Sequence, residues 1–219
     1  MSRRVVAVIQ ARLGSRRFPR KSVARFRGRP MIEHVIERVQ QMDGVDCIVA
    51  TVPTSDADLA RVITKLNATQ DASLPVTRLV YGPEKNVLWR YWLACTAYQA
   101  DVVIRITGDC PVWSPRAGEA VLRAFLDDTQ ERQYWSNDTT QSGWPDGTDV
   151  EVFSMGLLTR ARHARVTDDD CEHVTTWMKR TLYPDLGLVR RDVDAVSSLK
   201  LSVDTRADLL ALERLHVDI

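Results

Sequence analysis

The chain alternates short apolar runs with longer stretches in which apolar residues return every three or four positions. Val5 to Ile9 is continuous and rich in β-branched side chains, the pattern of a strand buried on both faces of a parallel sheet. Pro30 suits the first position of a helix, and Met31, Ile32, Val35, Ile36 and Val39 then repeat with helical spacing up to Gly44. Residues 45–51 read as a second strand. Leu59, Val62, Ile63 and Leu66 form one face of a helix capped by Ser55 or Asp56, and a short strand follows near 76–81. Asn86 caps a helix carrying Val87, Leu88, Tyr91, Trp92 and Cys95, and residues 102–106 form another buried strand. Ser114-Pro115 opens a helix with Val121, Leu122, Phe125 and Leu126. This alternation predicts an α/β fold, a doubly wound and mostly parallel sheet with right-handed crossovers.

The pattern loosens from Gln133 to Val166. Residues 134–136 and 150–153 read as strands around the turn-rich segment 142–147. A helix is expected from about Asp170 to Leu182, with Val174, Trp177 and Met178 on its apolar side. Residues 199–203 read as a late strand, and Thr205 with Asp208 as a capping box that starts a last helix. There are no internal repeats and no linker. The expected organisation is one domain over 1–219, with 133–166 as a small β excursion for substrate binding or dimerisation.

Composition sharpens this picture in three places. At 219 residues, 44% hydrophobic and 27% charged, the chain has the make-up of an ordinary globular protein. No run approaches the ~18 apolar residues of a membrane span, and 5–9 is too short for a signal-peptide core. A cytoplasmic protein without membrane contact is expected. The four cysteines, Cys47, Cys95, Cys110 and Cys171, are scattered without a CxxC pair, which argues for free thiols. Charge is nearly balanced at 30 basic to 29 acidic residues, yet residues 1–32 hold ten basic and no acidic side chains. So local an excess points to an anion site rather than to nucleic-acid affinity.

The candidate anion site is the loop after the first strand, Gln10 to Lys21. Gly14 and Ser15 permit a tight turn, and Arg12, Arg17 and Lys21 supply charge, although neither GxxxxGKS nor GxGxxG is present. A merely solvated basic loop would leave these cations repelling one another. Ligands of open α/β sheets bind beyond the carboxyl ends of the strands. Thr107-Gly108-Asp109-Cys110-Pro111 and Asp204-Thr205 also fall at such ends. Asp109 and Asp204, with phosphate oxygens and water, have the ingredients of a Mg2+ site; as structural residues they would be a turn former and a helix cap. Asp146, Asp149 and Glu151 could bind sugar hydroxyls or form a solvated hairpin. Glu172-His173 could be a substrate-binding pair or a structural one. Cys110 makes a poor nucleophile, since no histidine has a claim on it.

Together these residues are recognisable. Residues 9–21 resemble the opening motif of the acidic-sugar cytidylyltransferases, the CMP-Kdo and CMP-sialic acid synthetase group with its spore coat polysaccharide branch. Val87-Leu88 with Arg90-Tyr91, Arg105-Ile106-Thr107-Gly108-Asp109-Cys110-Pro111 and Pro145-Asp146-Gly147 with Asp149-Val150-Glu151-Val152-Phe153 continue the likeness. Glu172-His173-Val174-Thr175 and Val203-Asp204-Thr205 complete it. The resemblance implies a nucleotide-diphospho-sugar transferase fold of the GT-A type, and transfer of CMP from CTP to a sugar acid with release of pyrophosphate. It further implies Mg2+ and a homodimer. Arg12, Lys21 and Asp109 would be catalytic, and Asp109 and Asp204 would hold the metal. Gln10, Ala11, Arg12, Gly14, Ser15, Arg17, Lys21, Arg90, Thr107 and Gly108 would contact the nucleotide. Arg105, Asp146, Asp149, Glu151, Glu172 and His173 would contact the sugar substrate. Four positions depart from the family pattern. Arg20 stands where glycine is common, Phe18 for leucine, Asn86 for aspartate and Thr107 for the glutamine of the Kdo enzymes. A GT-A glycosyltransferase would show Asp-x-Asp where Gly108-Asp109-Cys110 offers one carboxylate. A nucleotide-binding homologue without turnover is the remaining reading.

Overall fold

The computed structural model describes residues 3–192 and 194–215. Residues 1–2, 193 and 216–219 of the 1–219 domain reading lie outside them. The apolar run Val5–Gln10 is β1, and the loop after it ends in a small hairpin of β2 (Arg25–Phe26) and β3 (Arg29–Pro30). Then come α1 (Met31–Gln40), β4 (Cys47–Pro53), α2 (Ala57–Thr69) and β5 (Thr77–Gly82). Next are α3 (Val87–Ala97), β6 (Val102–Thr107) and α4 (Pro115–Leu126), the two helices capped by the Asn86 and Ser114 side chains as expected. The chain continues through β7 (Tyr134–Ser136), β8 (Glu151–Ser154) and α5 (Met155–His163). It closes with α6 (Asp168–His173), α7 (Thr176–Leu182), β9 (Gly187–Leu188) and α8 (Arg206–Arg214).

Seven of these strands form one sheet in the order β5-β4-β1-β6-β8-β7-β9. The four on the β5 side run parallel, whereas β8 is antiparallel to both β6 and β7. Side chains alternate across the sheet. Ala7, Ile9, Ile104 and Ile106 pack with Ile32 and Ile36 of α1, Leu59 and Ile63 of α2, and Val121 of α4. Val6, Val8 and Val103 pack with Leu88 and Tyr91 of α3, Leu157 of α5 and Met178 of α7 on the other face. The sheet is therefore doubly wound, and all four parallel strands carry their carboxyl ends to one edge. A third apolar group joins Phe26 and Met31 to Val112, Leu201, Val203, Leu209 and Leu212. It brings the C-terminal segment up to that same edge.

Two expected elements take another form. The 170–182 helix is split, because Val174 leaves helical geometry at φ 63 and ψ −54 between α6 and α7. Among the described residues the 199–203 strand makes only an isolated parallel bridge, Lys200 to Asp146. It is held by Leu201 N–H donating to Asp146 O at 2.7 Å and Val203 N–H donating to Asp109 O at 2.9 Å. The Ser154-capped helix α5 was not anticipated in the loosely patterned 133–166 region.

Candidate active site

β1 and β6 are neighbours in register, Gln10 opposite Thr107, so both loops leave the sheet side by side. Gly108 N–H donates to Gln10 O at 2.8 Å. A Cβ on Gly108 would lie 2.7 Å from that oxygen and 3.0 Å from Ala11 Cβ, so glycine is what lets the two exits touch. Gln10 Oε1 is buried there with no partner among the described residues, an acceptor awaiting a donor.

The basic loop is pinned before any ligand is considered. Leu13 N–H donates to the buried Asp56 carboxylate at 2.7 Å, and the buried Ser22 hydroxyl donates to Arg12 O at 3.0 Å. Asp56 stands at the cap position of α2 but makes no cap hydrogen bond, its side chain being turned to the loop. That anchoring role was not readable from spacing, since a carboxylate before an apolar helical run reads as a cap. Arg20 ends the loop with φ 60, donates its N–H to Leu13 O at 2.9 Å and pairs with Asp58 at 2.8 Å.

So held, the cations reach three different segments. Lys21 Nζ donates to Asp109 Oδ2 at 2.7 Å and to Val203 O at 2.9 Å, and lies 3.9 Å from Asp204 Oδ1. Arg17 meets the same Asp204 oxygen at 2.8 Å, and Lys200 meets its other oxygen at 3.2 Å. Arg12 is 2.6 Å from Glu172 Oε1 on α6. Burial would raise the Asp109 pKa, but Lys21, helped by hydrogen bonds from Thr107 and Cys110, holds it below the usual value. The Cys110 thiol is pushed well up, by burial and then by Asp109, so it is no nucleophile. Among the described residues no group of three or more His, Cys, Asp or Glu is placed to hold a metal. The pair Asp109 and Asp204 passes a narrower test: one ammonium already sits between them, and hard oxygens are the donors Mg2+ takes.

A second cluster runs from β6 into the antiparallel part of the sheet. Arg105, two residues before Thr107, faces Glu151 across the β6–β8 ladder at 2.5 Å. Glu151 also accepts from Lys179 at 2.6 Å, Tyr134 OH at 2.5 Å and Thr175 Oγ1 at 2.9 Å. Burial opposes its charge, yet Arg105 and Lys179 bring its pKa down to about 2. Arg105 and Glu151 were expected at the substrate; Lys179 and Tyr134 were missed, and only their partner on another strand reveals them.

The remaining expected residues are placed apart or occupied. Arg90 is buried and donates to the carbonyls of Pro83 and Glu84 at 2.6 and 2.9 Å, and burial lowers its pKa to about 10. Asp149 accepts from Thr139 Oγ1 and Gly147 N–H, and burial raises its pKa against those bonds. Asp146 accepts from Ser202 Oγ at 2.9 Å, tying the 142–147 turns to the C-terminal segment. His173 is exposed and lies 3.5 Å from Asp169. Gly14 is exposed on the loop with Glu84 against it, and Ser15 N–H donates to Leu13 O at 3.0 Å.

Known proteins resemble this chain in sequence and in fold. The sequence model of the cytidylyltransferase family fits residues 6–204. Over 127 residues the chain is 34% identical to a 3-deoxy-manno-octulosonate cytidylyltransferase of Anaeromyxobacter sp. (strain Fw109-5). That match covers 56% of this chain and 47% of the relative, so the chain spans about half the length of the relatives of this kind. The spore coat polysaccharide biosynthesis protein SpsF of Bacillus subtilis is 26% identical over 220 residues, covering 97% of this chain and 86% of that one. A solved cytidylyltransferase from Leptospira borgpetersenii superposes with a TM-score of 0.85 at 21% identity, over 97% of this chain and 86% of that chain, and shares the fold.

Proposed function

Because the chain belongs to the cytidylyltransferase family, we propose that it transfers CMP from CTP to a sugar acid of the 2-keto-3-deoxy or nonulosonic type, releasing pyrophosphate. The observation that carries this reading is Lys21, whose ammonium joins the basic loop to Asp109 and lies within 4 Å of Asp204. In the reaction a substrate hydroxyl loses its proton and bonds to the α-phosphorus, while the bond from that phosphorus to the β-phosphate bridging oxygen breaks. A divalent cation held by Asp109 and Asp204 would supply charge screening of the phosphate oxygens. This chain's own residues do the rest. Arg12, Arg17 and Lys21 set positive charge where the pyrophosphate leaves. Gln10, Ala11, Thr107 and Gly108 line the joined strand exits where the nucleotide would lie in line with its acceptor. Arg105, Glu151 and Glu172 border the acceptor side of the same edge.

Residues 133–166 supply Glu151 to that edge and are the segment we assign to substrate contact and to a homodimer interface. No helix among the described residues is long and apolar enough to cross a membrane, and the described cysteines are all unpaired, which supports a cytoplasmic enzyme. The decisive assay follows pyrophosphate release with Mg2+, each of the four nucleoside triphosphates and a panel of 2-keto-3-deoxy and nonulosonic acids. Release with CTP and one such acid is expected. Release with another nucleotide in its place, or with none, overturns the assignment.

A further inference from the structure

Besides Arg20 with its Asp58, three loop cations are each met by a carboxylate from a different place. Lys21 meets Asp109, Arg17 meets Asp204 and Arg12 meets Glu172. The first two carboxylates are the pair suited to a divalent cation, which would draw them away from Lys21 and Arg17. Glu172 has no such second employment. Water can part this pair at small cost, but only another anion can take over its charge on Arg12. The contact is open enough for that exchange, with 36% of the Arg12 side chain and 43% of the Glu172 side chain exposed.

Glu172 is also presented by a rigid frame rather than by a loose surface helix. At its start, α6 is fixed by the Thr167–Asp170 capping box and by Arg180, 3.1 Å from Asp170. Two residues after Glu172, the buried Val174 makes a tight turn in which Thr175 N–H donates to His173 O at 2.6 Å. Positive φ in a three-residue turn is strained for a β-branched side chain, so packing must hold it. Thr175 then anchors the elbow by donating to Glu151 at 2.9 Å. An uninterrupted helix over 170–182 would turn Glu172 and Thr175 by the ordinary 3.6-residue period; the elbow instead sends one to Arg12 and the other to Glu151.

We infer that Glu172 is an electrostatic latch: it neutralises Arg12 while the loop holds no polyphosphate, and an incoming polyphosphate must displace it. This gives Glu172 a part in nucleotide affinity, where family resemblance gives it a contact with the sugar. It rests on the loop being the polyphosphate site of the proposed function.

The test is calorimetric titration of the full chain, without acceptor, using two probes: inorganic tripolyphosphate, and CTP with Mg2+. Glu172→Gln is expected to bind both about two- to fivefold more tightly than the wild type, in keeping with the modest worth of a half-exposed ion pair. Arg12→Ala is expected to bind more weakly, and adding Glu172→Gln to it should give no further gain. Glu172→Ala serves as the second variant if the glutamine form does not fold. Unchanged or weaker binding by the Glu172 variants overturns the latch, as does a gain that persists undiminished without Arg12. Tripolyphosphate binding without CTP binding overturns the cytidylyl reading and leaves the latch to be decided on tripolyphosphate. Failure of both probes to bind overturns the latch.

Discussion

Lys21 Nζ donates to Asp109 Oδ2 at 2.7 Å, with only 14% of the lysine side chain exposed. The lysine comes from the loop after β1 and the aspartate from the turn after β6, so one short bond closes the gap between two strand exits. The same ammonium donates to Val203 O, which brings the segment before α8 into the cluster. A free surface lysine would not be held by two other segments at once.

Lys21→Ala and Asp109→Asn are each expected to lower turnover at least about tenfold while circular dichroism and cooperative unfolding persist. Their acid behaviour should differ from that of the wild type. The folded Asp109 pKa is depressed, so its contribution to stability is present above the ordinary value of 3.8 and is lost as pH falls through the lower folded value. Without Lys21 that fraction of the acid dependence should shrink. Rates like the wild type in both variants would remove the assigned site.

Glu151 gives a second, sharper pH signature. Its pKa falls from 4.5 to about 2 although burial opposes the charge, because Arg105 and Lys179 outweigh the burial. A depressed carboxyl stabilises the fold fully above its unfolded pKa and less as pH falls toward the folded one. The window therefore runs from about 4.5 down to about 2. Glu151→Gln leaves Arg105, 13% exposed, without its counter-charge. A loss of ~3 kcal/mol at pH 7 is expected, as for breaking one partner of a buried pair. In urea unfolding the gap between variant and wild type should narrow from pH 7 to pH 3. An equal gap at both values would mean that charge is not what Glu151 contributes.

The parallel half of the sheet was legible because its strands are buried on both faces and so read as unbroken apolar runs, from Val5 to Ile9 and from Val102 to Ile106. Helix caps were legible too. Asn86, Ser114 and the Thr205–Asp208 box each need only a short polar side chain at a fixed local offset. What was missed was decided by distant partners. Val174 sits in an apolar helical stripe, and no local rule places a β-branched residue at φ 63; its burial in the core and the bond from Thr175 to Glu151, 24 residues away, hold it there. Asp56 looked like a cap because its use by Leu13 N–H crosses 43 residues. At the site, charge and strand ends pointed to Arg12, Arg17, Lys21, Asp109 and Asp204, which the fold does bring to one edge. Lys179 carried no such mark, since a basic residue in a last helical turn is expected anyway.

Arg20, where glycine is common in the resembling motif, has a backbone explanation that can be tested. At φ 60 and ψ 24 it occupies the left-handed region, and its N–H closes the loop onto Leu13 O. That conformation costs an L-residue roughly 1–2 kcal/mol, whereas glycine adopts it freely but loses about 0.5–1 kcal/mol more backbone entropy on folding. The ion pair to Asp58 lies at the surface, with 57% and 40% of the two side chains exposed, and adds little against this. Arg20→Gly should therefore fold as stably as the wild type or better. Arg20→Ala keeps the strain, loses the pair, and should fall below Arg20→Gly by ~1 kcal/mol, or about 2–4 °C in Tm for a chain of this size. Both variants should keep turnover within about twofold, because the guanidinium is engaged by Asp58 on α2. If thermal unfolding ranks the alanine variant at or above the glycine one, the left-handed backbone is not what glycine answers at this position.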